Sequence, residues 1–253
     1  MPSRWVTRIL FVLSAAGAAL SLRLAWEQPI AGAVGLSILL AVVLARWVAR
    51  HRVRRLLRSG DVESILARWS SSFDRVPHPE TMGPLMTATA FAAYGWIERA
   101  REALRTAERG PAWDAALEHR LFLDSLLYTF EGDPDRALEV AGELERLPLP
   151  STTPTLVERV RVLRGAVAAL ARAFSHNGRD GDRQLLMQAS DASPLVHWAM
   201  RYGAAILSVD RDDLPAARSL LEGAPEWPAE SCFNAFHRDI AAELSRREAH
   251  AVQ

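Results

Sequence analysis

The stretch Glu118–Pro150, EHRLFLDSLLYTFEGDPDRALEVAGELERLPLP, decides the fold. Its apolar residues recur at three and four positions, the spacing of an amphipathic helix. Leu121, Ser125 and Tyr128 fall on one helix, and Ala137, Ala141 and Leu144 on a second. Between them stands Gly132, followed by Asp133-Pro134. A tight turn between two helices wants a left-handed residue, which glycine supplies without a Cβ penalty. Asp133 is suited to cap the next helix, and Pro134 to open it, since the first helical N–H has no partner to lose.

The same punctuation recurs along the chain. Gly60 lies in SGDVESIL, Gly95 in YGWIERAREAL, Gly178 in NGRDGDRQLL, and Asp212 takes the role in RDDLPAARSLL. With Gly132, the intervals are 35, 37, 46 and 34 residues. A turn residue at such a period, each time opening an amphipathic helix, is the pattern of stacked helical hairpins. One hairpin cannot bury its apolar face alone, whereas stacked neighbours bury a shared one. Runs of β-branched residues are absent, and Pro77, Pro79, Pro111, Pro134, Pro148, Pro150, Pro154, Pro194 and Pro228 fit helix boundaries. The expected class is all-α.

These residues resemble the tetratricopeptide (TPR) repeat family. In Glu118–Pro150, Leu121, Ser125, Tyr128, Gly132, Ala137, Ala141 and Leu144 match its large, small, aromatic, turn and alanine positions, while Asp124 stands where the family has an aliphatic. A second copy has Ala88, Phe91, Gly95, Ala100 and Leu104. A third, around Ala171, Phe174, Gly178 and Met187, has Arg183 in place of an alanine, and a fourth holds Ala205, Ala217 and Leu221. The resemblance implies a solenoid of about four to five hairpins over residues 60–247, before a tail at 248–253. It also implies a concave face, lined by first helices, that binds a protein or peptide. In the Glu118–Pro150 copy that face would present His119, Phe122, Leu126, Thr129 and Phe130. From the residues alone, Phe122, Leu126 and Phe130 serve equally well as core packing.

The first 50 residues have a different composition. Ile9–Leu22 is uncharged over 14 residues and Ile30–Ala45 over 16, and tryptophans extend both: Trp5 and Trp26 bracket the first, Trp47 closes the second. From Trp5 to Trp26 a helix rises roughly 31 Å, the hydrocarbon thickness of a bilayer, with indoles at both interfaces. The expectation is a transmembrane hairpin of helices at about 5–26 and 30–49, turned at Glu27-Gln28-Pro29. Arg4 and Arg8 ahead of an apolar run also fit a cleaved signal peptide followed by one anchor, and a buried hairpin in a soluble protein is a third reading.

Behind the second segment come Arg46, Arg50, Arg52, Arg54, Arg55 and Arg58. Positive residues stay cytoplasmic, so both termini and the repeats are expected on the cytoplasmic side of a bacterial inner membrane. Anionic headgroups would attract a basic juxtamembrane segment at 51–59 by about 1 kcal/mol per arginine. If Gly60 is a repeat turn, Asp61–Phe73 is a second helix whose partner is Arg46–Leu57, joined through Leu56, Leu57, Ile65, Leu66 and Trp69. The second membrane helix would then continue into the first repeat.

Charge narrows the partners. All 30 basic residues are arginine, and the formal net charge is zero. Residues 1–59 hold nine arginines and one acid, Glu27, whereas residues 60–253 hold 21 arginines against 29 acids. An acidic body argues against nucleic acid as a partner. The single cysteine, Cys232, allows no intramolecular disulfide and reads as a packing residue. No nucleophile elbow, P-loop or H-E-x-x-H motif occurs. The seven histidines are scattered, and the HNGRDGDR and VDRDD stretches lack the glutamate that closes a calcium loop. The reading is a non-enzymatic, cofactor-free scaffold or adaptor. The alternative is a structural or assembly subunit of a larger inner-membrane complex.

Overall fold

The computed structural model describes residues 29–73 and 75–251. The first apolar segment, with Trp5 and Trp26, lies outside them. Among the described residues there are eleven α-helices and no strand. The chain divides into two units between Arg55 and Leu56.

Helix α1 runs Pro29–Arg58, without a break between its apolar stretch and its arginines. Its segment Val34–Arg58, 25 residues, contains an 18-residue window of mean hydropathy 1.5, long and apolar enough to cross a membrane, and none of that window is buried. The described residues thus hold one candidate span, and the stretch expected to be a separate basic segment at 51–59 is helical through Arg58.

The second unit follows with α2 (Val62–Phe73), α3 (Pro79–Ala93), α4 (Ile97–Glu108), α5 (Leu117–Glu131) and α6 (Pro134–Arg146). Then come α7 (Pro154–Phe174), α8 (Asp182–Ala192), α9 (His197–Asp210), α10 (Leu214–Leu221) and α11 (Cys232–Ala251). Four antiparallel hairpins result: α3 with α4, α5 with α6, α7 with α8, α9 with α10. Each first helix also packs on the next, α3 on α5, α5 on α7, α7 on α9, while α11 closes against α9 and α10.

One backbone geometry repeats at the hairpin turns. Gly95, Gly132, His176 and Asp212 all have positive φ, between 53° and 78°. After each, the next N–H reaches back five residues: Trp96 to the Phe91 oxygen at 2.9 Å, Asp133 to Tyr128 at 2.9 Å, Asn177 to Arg172 at 2.9 Å and Asp213 to Ser208 at 2.8 Å. This is the bond that closes a helix through a left-handed residue. The third turn residue is His176 and not Gly178. Four extra residues stand before α8 compared with the other hairpins, and a Cβ at Gly178 would collide with Leu207. Asp61, Asp133 and Asp213 then cap the following helices by accepting from the N–H groups of Ser64, Arg136 and Ala216.

Small residues let the paired helices approach. Ala88 and Ala100, Ser125 and Ala137, Ala205 and Ala217 are fully buried, seven residues before and five after their turns. The Ser125 hydroxyl donates to the Ala137 oxygen at 3.1 Å, satisfying its only O–H donor in that contact. Arginines tie neighbouring hairpins. Arg101 of α4 grips Glu131 with two bonds, 2.8 and 2.7 Å, and Asp124 at 2.9 Å. That pairing accounts for an acid at position 124, where an aliphatic was expected.

Candidate partner-binding surfaces

Within α1, Arg46, Arg50, Arg54 and Arg58 follow at intervals of four and form one inclined row. All four are exposed, as are Arg52 and Arg55. Like charges four apart destabilise a helix by a few tenths of a kcal/mol each, so the row costs stability in water. Trp47, 57% exposed, stacks edge-on against His51 at 4.2 Å.

The last carbonyls of α1 belong to the second unit and are all engaged. Ser59 Oγ donates to the Leu56 oxygen at 2.8 Å, the Tyr94 hydroxyl donates to the Leu57 oxygen, and Trp198 Nε1 donates to the Arg58 oxygen at 2.8 Å. A helix end leaves such carbonyls orphaned, and here Ser59, Tyr94 at the C-cap of α3, and Trp198 of α9 supply the donors. Leu56, Leu57, Leu66 and Trp69 pack on the larger apolar cluster, which includes Val62 and Ile65. His197, beside Trp198, is buried, with Nδ1 2.8 Å from Ser190 Oγ. Burial, reinforced by the Arg58 charge, lowers its pKa to about 4, so it is neutral at pH 7.

The five residues expected to line a groove separate. Leu126, Thr129 and Phe130 are buried, so no partner reaches them in this arrangement. The Thr129 hydroxyl bonds back to Ser125 at 2.7 Å. Phe130 lies under the chain's own α11, its ring 5.4 Å from Phe233 and 5.9 Å from Phe236. The same helix covers Phe174, 4.9 Å from Phe236, and Tyr202, 5.2 Å from Phe233. Its start is held by the Ser231 hydroxyl on the Tyr94 oxygen at 2.6 Å and by the Cys232 N–H on the Gly95 oxygen at 2.9 Å. The C-terminal segment therefore occupies the face that the first helices present. Reading residues 60–247 as a continuous repeat array hid this. The signal was Trp227 with Phe233 and Phe236, aromatic anchors after the last turn residue.

His119 is exposed and Phe122 half-buried, and both stay accessible. They line a depression of about 350 Å³ with Val160 and Leu163 of α7 and Leu195 and Val196 of the 3-10 turn before α9. At its edge Arg164, 4% exposed, is neutralised by Glu118 at 2.7 Å and donates to the Leu147 oxygen at 2.6 Å. With that charge compensated, the depression offers mainly apolar surface, suited to a partner's apolar side chain.

Among the described residues no cluster of three His, Cys, Asp or Glu is placed to hold a metal ion. Burial pushes the Cys232 thiol up to about 12, so it stays protonated and unreactive at neutral pH. No family model matches the sequence, and comparisons with curated proteins and with solved structures give no significant match.

Proposed function

We propose that this chain is a membrane-anchored, TPR-like helical scaffold that binds a protein partner at the cytoplasmic face of a bacterial inner membrane. The observation that carries the reading is one hairpin geometry recurring four times behind an exposed apolar helix. The small-residue pairs, the left-handed turns and the aspartate caps are what a TPR-like solenoid uses to stack. The arginine row of α1 is unfavourable in water and becomes favourable beside anionic headgroups. That supports cytoplasmic placement of the body, since positive residues stay inside. The accessible depression at His119 and Phe122 is where we place a partner's apolar anchor, with the rest of the contact forming a polar rim.

A photo-cross-linking residue at position 122 of the full chain, in native membranes, tests this. The expected result is one defined cross-linked protein, lost on Val160→Arg while helical content is kept. Recovery of the intact chain from the aqueous fraction without detergent would remove the anchor. A cross-linked species indifferent to Val160→Arg would remove the groove. Fixed-stoichiometry co-purification with integral membrane proteins would move the reading to a subunit of a larger complex.

A further inference from the structure

A second depression, of about 230 Å³, lies between the end of α7, α9 and α11. Its floor is apolar: Phe174, Ile206, Val209, Phe236 and Ile240. Its rim carries three carboxylates, Asp210, Asp239 and Glu243, beside His176, and among the described residues no arginine lines it. These carboxylates are not equally free. Asp210 lies 2.9 Å from His176 Nδ1, and Glu243 is held by Arg246 at 2.8 Å and Arg247 at 2.7 Å. Asp239 is exposed and has no hydrogen-bond or ion-pair partner among the described residues.

We propose that this depression docks a basic amphipathic helix of a partner protein. An apolar side chain of that helix would sit on Phe174, Ile206 and Phe236, with arginine or lysine facing Asp239 and Asp210. The apolar floor supplies contact area, and the rim supplies sign. An acidic or nucleic-acid ligand would meet like charge, whereas a basic one gains encounter rate and register. The neighbouring α11 shows what this face accepts. It is a helix whose Phe233, Phe236 and Ile240, three and four residues apart, are its anchors, the spacing of helix-in-groove recognition. A partner helix laid beside it would continue the same packing. The inference rests on the scaffold reading and adds the chemistry of a partner.

The test uses the full chain in nanodiscs of zwitterionic phosphatidylcholine, so that lipid charge does not compete. Three fluorescent peptides of about 16 residues serve as probes, long enough to form a helix on binding. One is an amphipathic leucine–arginine helix, the second replaces every arginine by glutamate, and the third scrambles the first. We expect anisotropy to report binding of the arginine peptide, at least about tenfold weaker binding of the other two, and about a tenfold loss on Asp239→Arg. Ile206→Glu should abolish binding, and Asp239→Arg, at an exposed site, keeps the test valid if that variant misfolds. Equal binding of arginine and glutamate peptides, or indifference to Asp239→Arg, overturns the proposal. If the peptides fail while cross-linking at position 122 succeeds, the basic-helix site is wrong and the scaffold stands.

Discussion

The indole Nε1 of Trp198 donates to the carbonyl oxygen of Arg58 at 2.8 Å, across 140 positions of sequence. Together with the Tyr94 hydroxyl on Leu57, it makes the body the cap of the helix that enters it. Tyr94→Phe keeps the ring and removes the donor, so its expected cost is about 1 kcal/mol, the net worth of one such bond. Trp198→Phe removes the donor together with the pyrrole half of a buried indole and should cost more, about 2–3 kcal/mol. Thermal unfolding of the detergent-solubilised chain, followed by circular dichroism, reads both. A change within error for each would mean that these carbonyls are satisfied by water.

Two turn glycines with nearly equal φ should respond differently to alanine. Gly132, at φ 78°, has open space where a Cβ would stand, so Gly132→Ala costs only the left-handed strain, about 1–2 kcal/mol. Gly95, at φ 75°, would place that Cβ 2.7 Å from Cys232 Sγ and 2.9 Å from Phe233 Cδ1. Gly95→Ala should therefore exceed Gly132→Ala by about 1–3 kcal/mol, the usual penalty of overpacking. It should also raise hydrogen exchange in α11 selectively. Equal destabilisation of the two variants would contradict the close approach of α11 to the α3–α4 turn.

The Arg172–Asp182 pair joins α7 to the start of α8 with bonds of 2.8 and 2.6 Å and is nearly enclosed, its side chains 14% and 6% exposed. Asp182→Ala leaves a buried guanidinium uncompensated and should cost about 3–5 kcal/mol. Burial pushes the Asp182 carboxyl up, but the Arg172 bonds and the Arg179 N–H outweigh it, and its pKa ends below the ordinary value. The folded state thus binds this proton less readily than the unfolded one. The stabilisation is complete above about pH 4 and drains away as pH falls through the lower folded value. Asp182→Asn should flatten the acid limb of a stability–pH curve. An unchanged limb would show that the pair contributes nothing to acid lability.

The turns were legible because a positive φ admits few residues. Gly60, Gly95, Gly132 and Asp212 announce themselves, and all four have positive φ. His176 does not, since histidine seldom signals a left-handed turn, and a nearby glycine drew the assignment two positions on. The candidate site was less legible. An apolar residue on a helix face looks the same in sequence whether a partner or the chain's own C-terminus covers it. Phe130 belongs to the second case, Leu126 is buried within the core, and Phe122 stays half-buried. The arginines of α1 were plain in composition, but their continuity with the apolar helix rests on propensity across Trp47–Arg58, which no single residue announces.

His197 is the remaining titration with a defined sign. It is buried between Ser190 and Trp198, with Arg58 and Arg201 adding positive charge, and its pKa falls from 6.5 to about 4. Unfolding returns the imidazole to water, where it takes up a proton near pH 6.5. Between pH 6.5 and 4 the unfolded state therefore holds the extra proton, and stability falls by up to about 1.4 kcal/mol per pH unit, roughly 3 kcal/mol across the window. Above pH 6.5 the contribution is complete and flat. His197→Gln, which keeps a polar group for Ser190 but cannot titrate, should lose some stability at pH 7 and lose less on acidification to pH 4.5. Denaturation midpoints at pH 7.5, 6 and 4.5, wild type against variant, decide it. Parallel curves would mean that His197 titrates alike in both states and would overturn the shift assigned to its burial beside Trp198 and Ser190.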